Sequence, residues 1–418
     1  MRRAAQPPLQ AHEGTVTGHA MNTRSSQDML AHLVGFPTVS RESNLGLIEF
    51  VHDYLHELGV ASELFHNDDR SKANLFATIG PPGDGGVVLS GHTDVVPVDG
   101  QNWTVPPFRL TEADGRLYGR GTADMKGYLA SVLAAVPRFL EDPLAVPIHL
   151  AFSYDEEIGC VGVRPMLAEL QKRGFRPRVC VIGEPTGMRP VLGHKAKLAV
   201  RCCVKGAACH SAYAPYGVNA IHYAARLVAR LEEIGDALAE PGQRDDRFDP
   251  PFTTVQAGLI RGGRALNIVP AECDFDFEVR AVPGFDMRTV TTQLQSYASG
   301  TLLPRMRAVV PDTDIRFETL NAYPGLATDP DSDAARLIAA LSGAGQDEAG
   351  RFDTVAFGTE GGLYDAMGIP TVVCGPGSMD QGHKPDEFVT VEQLSRCDAM
   401  MARLATRLSN APGGQANG

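Results

Sequence analysis

Apolar residues in this chain form short continuous runs that alternate with longer stretches of helical periodicity. Four of the runs are rich in Val, Ile, Leu or Phe and end at glycine or polar residues: "GVVLSG" (86–91), "IHLAFSY" (148–154), "RVCVIG" (178–183) and "TVVCGPG" (371–377). Such runs are typical of strands buried on both faces of a mostly parallel sheet. Residues 126–142 and 390–408 have helical spacing, and the second stretch begins at a threonine cap. The pattern predicts an α/β domain assembled from the two ends of the chain.

The middle of the chain has a different period. Residues 197–206, 252–263 and 267–284 alternate between apolar and polar positions, as in "CDFDFEV", which favours an antiparallel sheet with one solvated face. Helical stretches near 218–238 and 286–299 would cover the other face. We therefore expect a smaller α+β domain inserted into the larger one.

These patterns define the expected domain boundaries. The larger domain takes in 27–193 and 309–410, the inserted domain covers 194–308, and 1–26 and 411–418 are expected to be a disordered leader and tail. The leader has two arginines but no apolar segment after them, so it is not an export signal. Met21 is a second possible start.

Composition excludes some classes of function. The chain has 418 residues and a net charge of −12, and no basic run suggests a nucleic-acid partner. No apolar run approaches membrane-spanning length. The eight cysteines form no CxxC pair and several lie in strand-like runs, which favours reduced, buried thiols and a cytoplasmic location.

Acidic and histidine side chains follow each strong strand. Together with Asp124, which lies just before a helix, these residues are His92, Asp94, Asp155, Glu156, Glu157, Glu184 and His383. In open α/β sheets the ligand site lies beyond the carboxyl ends of the strands, so these residues can converge although they are far apart in sequence. An isolated histidine in such a loop is more often a surface residue, but the joint pattern predicts a cation site that suits Zn²⁺.

Six motifs carry a resemblance to a known family. "SGHTDVVPVDGQNW", "YGRGTADMKG", "YDEEIGC", "IGEPT", "KGAACHSAYAPYGVNAI" and "QGHKPDEF" occur in the order seen in the dizinc amidohydrolases and exopeptidases, a family that includes aminoacylase, carboxypeptidase G, succinyl-diaminopimelate desuccinylase and acetylornithine deacetylase. The resemblance covers about residues 28–408. It implies a zinc-exopeptidase-like α/β catalytic domain with a mostly parallel sheet, and an inserted dimerisation or lid domain.

The resemblance also implies roles for individual residues. Asp124 would bridge two zinc ions, His92 and Glu184 would complete the ligands of one ion, and Glu157 and His383 those of the other. Asp94 would accept the second ring N–H of His92, and the Asp124–Met125 peptide bond would be cis. Glu156 would be the general base, while Asp155 has no assigned role. Cobalt or manganese would also suit such ligands.

In the inserted domain, the resemblance implies that His210 reaches the active site of a partner subunit in a homodimer and helps to stabilise the oxyanion. Asn267 and Arg280 match positions that bind the polar and carboxylate groups of the substrate. Arg280 could instead form an ion pair within its own domain.

The substrate is expected from the segment "FGTEGGLYDAMGIP" (357–370). Thr359 and Glu360 resemble the acetylornithine deacetylase branch, which implies hydrolysis of N²-acetyl-L-ornithine in arginine biosynthesis. Glu360, followed by Gly361, would pair with the side-chain ammonium of the substrate. Two alternatives stay open: another member activity, such as desuccinylation or broad aminoacylase or dipeptidase action, and a non-catalytic relative that binds a metal or an amino acid.

Overall fold

The computed structural model describes residues 24–240, 242–344 and 352–409. The helices are α1 (Ser26–Val34), α2 (Leu45–Glu57), α3 (Gly127–Glu141), α4 (Val163–Lys172), α5 (Ala220–Ala239), α6 (Arg288–Tyr297), α7 (Leu303–Arg307), α8 (Asp333–Ser342), α9 (Gly361–Ala366) and α10 (Val391–Ser409). The strands are β1 (Ser62–His66), β2 (Ala73–Ile79), β3 (Val87–His92), β4 (Thr111–Ala113), β5 (Arg116–Tyr118), β6 (Ile148–Ser153), β7 (Val179–Pro185), β8 (Val191–His194), β9 (Ala196–Lys205), β10 (Thr254–Gly262), β11 (Glu272–Ala281), β12 (Asp314–Tyr323), β13 (Leu326–Ala327), β14 (Asp353–Val355), β15 (Thr371–Gly375) and β16 (Phe388–Thr390).

The larger sheet has the strand order β1-β2-β6-β3-β7-β15-β8-β13, and β14 pairs with β8. Its four central strands, β6, β3, β7 and β15, are parallel and are the four that the apolar runs predict. Helices α1, α2, α3, α8 and α10 pack on one face, and α4 and α9 on the other. Because helices cover both faces, these strands are buried throughout. The predicted fold class is confirmed.

The smaller sheet is antiparallel, with the order β10-β11-β9-β12. Alternate residues of β9 and β11 are buried against a core that α5, α6 and α7 share. The fourth strand, β12, begins after residue 308, so the expected end of the inserted domain is too early. The period-two pattern identifies β12 poorly, because its alternation breaks at a register shift between Thr319 and Asn321 and only two of its residues are buried.

The expected ends of the chain need one correction. Arg24 lies over the rings of Phe50 and Tyr54, and the Ser25 hydroxyl accepts a hydrogen bond from the amide of Asp28 at 3.1 Å, which caps α1. Residues 24–26 therefore belong to the fold rather than to a disordered leader. The rest of that leader and the expected tail lie outside the described residues. Among the described helices, none has both the length and the apolar character needed to span a bilayer.

Candidate metal centre

The acidic and histidine residues meet at the carboxyl edge of the larger sheet. His92 ends β3, Glu184 lies near the end of β7, and Glu156 and Glu157 follow β6. Asp124 lies in the helical turn Thr122–Lys126, and its peptide bond to Met125 is cis. His383 lies in the loop between β15 and β16. The topology thus brings together residues that are up to 291 positions apart, from His92 to His383.

Asp124 lies between two imidazoles. Its Oδ1 is 3.0 Å from His92 Nε2, and its Oδ2 is 3.1 Å from His383 Nε2. Each histidine also faces a glutamate: His92 Nε2 is 3.7 Å from Glu184 Oε1, and His383 Nε2 is 3.1 Å from Glu157 Oε2. The arrangement contains two overlapping sets of potential ligands that share the carboxylate of Asp124.

Two triads in this cluster have spacings that suit a metal ion. The potential ligand atoms of His92, Asp124 and Glu157 all lie within 4.8 Å of one another, as do those of His92, Glu156 and Glu184. Within the described residues, no lysine or arginine forms an ion pair with any of these carboxylates. Imidazole nitrogens and carboxylate oxygens are suitable ligands for Zn²⁺, and a cation would compensate the buried negative charge. The residues therefore fit a metal centre.

The pKa values of the three glutamates in the cluster are raised, as expected where several buried carboxylates lie close together. Burial raises the pKa of Glu157 to about 7, and the charge of Asp124 adds to this effect. Burial also raises the pKa of Glu184 and of Glu156 well above the usual range. Hydrogen bonds to Asp124 and Glu157 raise the pKa of His383 to about 10. A cation bound here would compete with protons for the same oxygen and nitrogen atoms.

Asp94 contacts both His92 and the acidic loop. Its backbone carbonyl is 2.8 Å from His92 Nδ1, whereas its carboxylate is 3.6 Å away. The carboxylate instead accepts hydrogen bonds from the amides of Glu156 and Glu157, at 3.1 and 3.3 Å, and from the Ser40 hydroxyl at 2.8 Å. The predicted contact with the second ring nitrogen of His92 is thus shortest at the Asp94 carbonyl, while the carboxylate holds the loop.

Asp155 takes no part in the cluster. Its backbone has a positive φ of 55°, and its carboxylate lies 2.5 Å from the Nζ of Lys72 in a largely buried ion pair. Beside it, the thiol of Cys160 donates a hydrogen bond to Glu156 Oε1 at 3.2 Å. Asp155 thus anchors the loop, as a structural role predicts.

Sequence reasoning missed Glu387, a fully buried carboxylate next to Asp124. It accepts hydrogen bonds from the backbone amides of Gly121, Ala123 and Asp124 and pairs with Arg120. The only signal in the sequence is its position in "QGHKPDEF", four residues after His383.

Comparison with known proteins places this geometry in a family. The sequence model of Peptidase family M20/M25/M40 matches residues 88–407, which is more than half of the chain. The chain belongs to this family. It is therefore a hydrolase of the M20 class, and the resemblance that the motifs carry is confirmed.

Curated relatives of this M20 chain span nearly its whole length. It is 34% identical over 380 residues to an acetylornithine deacetylase of Myxococcus xanthus, which covers 90% of this chain and 95% of the relative. It is 33% identical over 385 residues to an acetylornithine deacetylase of Proteus mirabilis, with coverage of 90% and 95%.

Solved M20 structures share the fold. An M20 metallo-carboxypeptidase from Sulfolobus solfataricus has a TM-score of 0.73 at 18% identity and covers 92% of this chain and 99% of its own. A Bacillus subtilis protein described as a dinuclear metal-binding M20 peptidase has a TM-score of 0.62 at 18% identity, with coverage of 91% and 96%.

Three predicted residues of this M20 chain lie in the smaller domain, and the contacts described below are all within that domain. His210 is exposed, and its Nδ1 accepts a hydrogen bond from the amide of Ala212 at 3.1 Å. Asn267 is exposed beside it, and its carbonyl accepts a hydrogen bond from the amide of Ser211 at 3.0 Å. Arg280 forms an ion pair with Glu278 at 3.3 Å and donates a hydrogen bond to the Tyr323 hydroxyl at 3.0 Å. This is the ion pair within its own domain that the sequence leaves open as an alternative to substrate binding.

Glu360 is buried just before α9. It is 1% exposed, the Ser153 hydroxyl lies beside its carboxylate, and no lysine or arginine of the described residues forms an ion pair with it. Burial raises its pKa to about 7. The next residue, Gly361, donates its amide to the Thr359 hydroxyl at 2.9 Å, and the amide of Gly362 donates to His194 Nε2 at 3.1 Å. The loop is thus fixed, while the carboxylate has no cationic partner among the described residues.

Proposed function

We propose that this M20 enzyme removes the acetyl group from N²-acetyl-L-ornithine and releases acetate and L-ornithine. The observation that carries the chemistry is the position of Asp124 between His92 and His383, with Glu156 and Glu157 beside them. The substrate is supported by the relatives, since the chain is 34% identical over 90% of its length to an acetylornithine deacetylase.

The proposed ligands for two zinc ions are the five residues of the two overlapping sets. His92 and Glu184 would hold one ion, His383 and Glu157 the other, and Asp124 both. Cobalt could replace zinc at nitrogen and oxygen ligands of this kind. When bound, the two ions would lower the pKa of water toward about 7 and polarise the amide carbonyl.

Glu156 is the proposed general base. It faces His92 and Glu184, and its Oε1 is held by the thiol of Cys160. Its carboxylate would take a proton from the attacking water and then transfer it to the nitrogen of the leaving amine. Asp94 would support this role, because its carboxylate fixes the amide of Glu156.

Substrate selection is assigned to four residues. Arg280 would exchange its partner Glu278 for the α-carboxylate of the substrate, because a guanidinium can donate two parallel hydrogen bonds. Asn267 would bind polar groups of the substrate. Glu360, with the adjacent Gly361, would provide the counter-charge for the ornithine ammonium, since its carboxylate is buried and has no cationic partner among the described residues.

A homodimer would complete the site. Strand β10 is an edge of the smaller sheet, and its Leu259 and Ile260 are 50% and 56% exposed, which is a surface suited to pairing with a second copy. His210 forms a β-bridge with Ile268 in the segment that follows β10. Pairing there would bring His210 and Asn267 of one subunit toward the site of the other.

A cytoplasmic role in arginine biosynthesis fits this reaction. All eight cysteines lie in the described residues as free thiols, which supports a reducing compartment.

The proposal is tested by kcat/KM of the zinc-loaded protein on N²-acetyl-ornithine, N-succinyl-diaminopimelate and N-acetyl-leucine, measured side by side. We expect acetyl-ornithine to be preferred by about a hundredfold, which corresponds to about 2.7 kcal/mol of transition-state discrimination. Comparable rates on all three substrates would indicate a general aminoacylase, and preference for the succinylated substrate would indicate a desuccinylase. Either result would overturn the substrate assignment.

A further inference from the structure

The carboxylate of Glu387 holds the backbone that carries Asp124. It is 1% exposed. Its Oε1 accepts hydrogen bonds from the amides of Ala123 and Asp124, at 2.9 and 3.0 Å, and its Oε2 accepts one from the amide of Gly121 at 3.0 Å. Three amides of one turn therefore converge on a single side chain that is 263 positions away from Asp124 in the sequence.

Arg120 extends this arrangement. Its Nη1 is 2.7 Å from Glu387 Oε2, and both side chains are 1% exposed. A buried carboxylate without a partner is strongly destabilising, so the charge of Arg120 stabilises Glu387 in this position. The guanidinium also lies 5.0 Å from the ring centroid of Trp103, the only tryptophan of the chain.

The same network reaches the loop of His383. Arg120 Nη2 donates to Gln101 Oε1 at 2.6 Å, and Gln101 Nε2 donates to the carbonyl of His383 at 3.0 Å. Arg120 Nη1 also donates to the carbonyl of Lys384 at 3.3 Å. The backbones that carry Asp124 and His383 are thus fixed to one ion pair, although neither Glu387 nor Arg120 belongs to the ligand sets.

We propose that Glu387 and Arg120 are a positioning pair that sets the relative placement of Asp124 and His383 for metal binding. The inference rests on the metal centre of the proposed function and not on the identity of its substrate. Its physical basis is preorganisation: ligands that are already held in place lose less conformational freedom when the ion binds. Partners that orient metal ligands typically contribute about 10–100-fold to metal affinity or activity.

The test is the zinc affinity of Glu387→Gln in the full-length protein, measured by competition with a chromophoric chelator. Glutamine keeps the size of the side chain but removes the charge and one acceptor oxygen. We expect the apparent zinc Kd for at least one of the two ions to rise by about 10–100-fold. We also expect the emission of Trp103 to change, because its indole lies over the guanidinium that loses its partner.

Asp276→Asn is the matched control. Asp276 forms a bidentate ion pair with Arg201 at 2.7 and 2.8 Å, but this pair lies in the smaller sheet. Its loss should leave zinc affinity unchanged. Should Glu387→Gln not fold, Gln101→Ala provides the test, since Gln101 is only partly buried and connects Arg120 to His383. We expect it to weaken zinc binding severalfold.

An unchanged zinc Kd in a folded Glu387→Gln protein would overturn the proposal, even if the variant were less stable. Unchanged zinc affinity of Gln101→Ala, where Glu387→Gln does not fold, would also overturn it. A wild-type protein that binds no zinc would overturn both this inference and the metal centre. Normal zinc binding without cleavage of acetyl-ornithine would affect only the substrate assignment.

Discussion

At the scale of single residues, Glu156 and Glu157 are adjacent but face different partners. Glu157 lies 3.1 Å from His383, whereas Glu156 is grouped with His92 and Glu184. The preceding residue, Asp155, has a left-handed backbone and is anchored by Lys72. The carboxylate of Asp94 holds both following amides. The loop is thus fixed at its backbone, which allows two neighbouring carboxylates to have different roles.

Glu360 provides a prediction about selectivity. Replacing it with glutamine removes the charge while keeping the shape, so the preference in kcat/KM for N²-acetyl-ornithine over N-acetyl-leucine should fall by about 10–100-fold, or about 1.4–2.7 kcal/mol. Asp365→Asn in the adjoining helix, α9, is the control and should leave the preference intact. An unchanged preference in Glu360→Gln would remove Glu360 from the specificity pocket.

At the scale of elements, two strands carry buried histidines that titrate abnormally. His149 in β6 stacks on Phe76 with 5.6 Å between ring centroids, and burial lowers its pKa to about 4. His194 at the end of β8 is fully buried, and burial likewise lowers its pKa to about 4. Both rings are therefore neutral in the folded protein at pH values where the unfolded chain binds protons.

The sign of the pH dependence follows from these two pKa values. Between pH 6.5 and 4 the unfolded state binds more protons than the folded state, so the free energy of unfolding should decrease as the pH falls through this range. Each histidine accounts for a decrease of up to about 3 kcal/mol in the free energy of unfolding over this range. Chemical denaturation of His149→Phe should show a weaker loss of stability over this range than the wild type. Equal slopes for the two proteins would contradict this explanation.

Elements differ in how well the sequence predicts them. The central strands β3, β6, β7 and β15 are predictable, because continuous burial requires continuous apolar residues. Strand β12 is not, because only two residues of this edge strand are buried and its alternation breaks at a register shift. Helix α10 begins at Val391, directly after its predicted threonine cap. The Thr390 hydroxyl accepts a hydrogen bond from the amide of Gln393 at 3.1 Å.

The same distinction applies to the site. His92 and Glu184 are predictable because their side-chain chemistry, position at strand ends and family motifs agree, whereas Asp124 is predictable from its motif and its position before a helix. Glu387 is not, because an acid in a loop resembles a turn residue, and its donors are backbone amides distant in sequence. The closer approach of the Asp94 carbonyl than of its carboxylate to His92 depends on loop geometry, which residue spacing does not determine.

At the scale of the whole molecule, the proposed dimer makes a direct prediction. If His210 acts in the partner's site, the inactive variants Glu156→Gln and His210→Ala should restore activity when they are mixed and allowed to exchange subunits. Random exchange places one intact site in half of the dimers, so about a quarter of the wild-type activity should return. If mixing restores nothing although exchange is demonstrated, His210 does not act across a dimer.

The central claim is that one of two adjacent glutamates binds metal while the other transfers protons. The most direct measurement is the zinc content and acetyl-ornithine turnover of Glu156→Gln and Glu157→Gln beside the wild type. We predict that Glu156→Gln retains two zinc ions per chain but loses about 10²–10⁴-fold in kcat, whereas Glu157→Gln loses zinc. Substantial turnover by Glu156→Gln, or full zinc content in Glu157→Gln, would contradict the account.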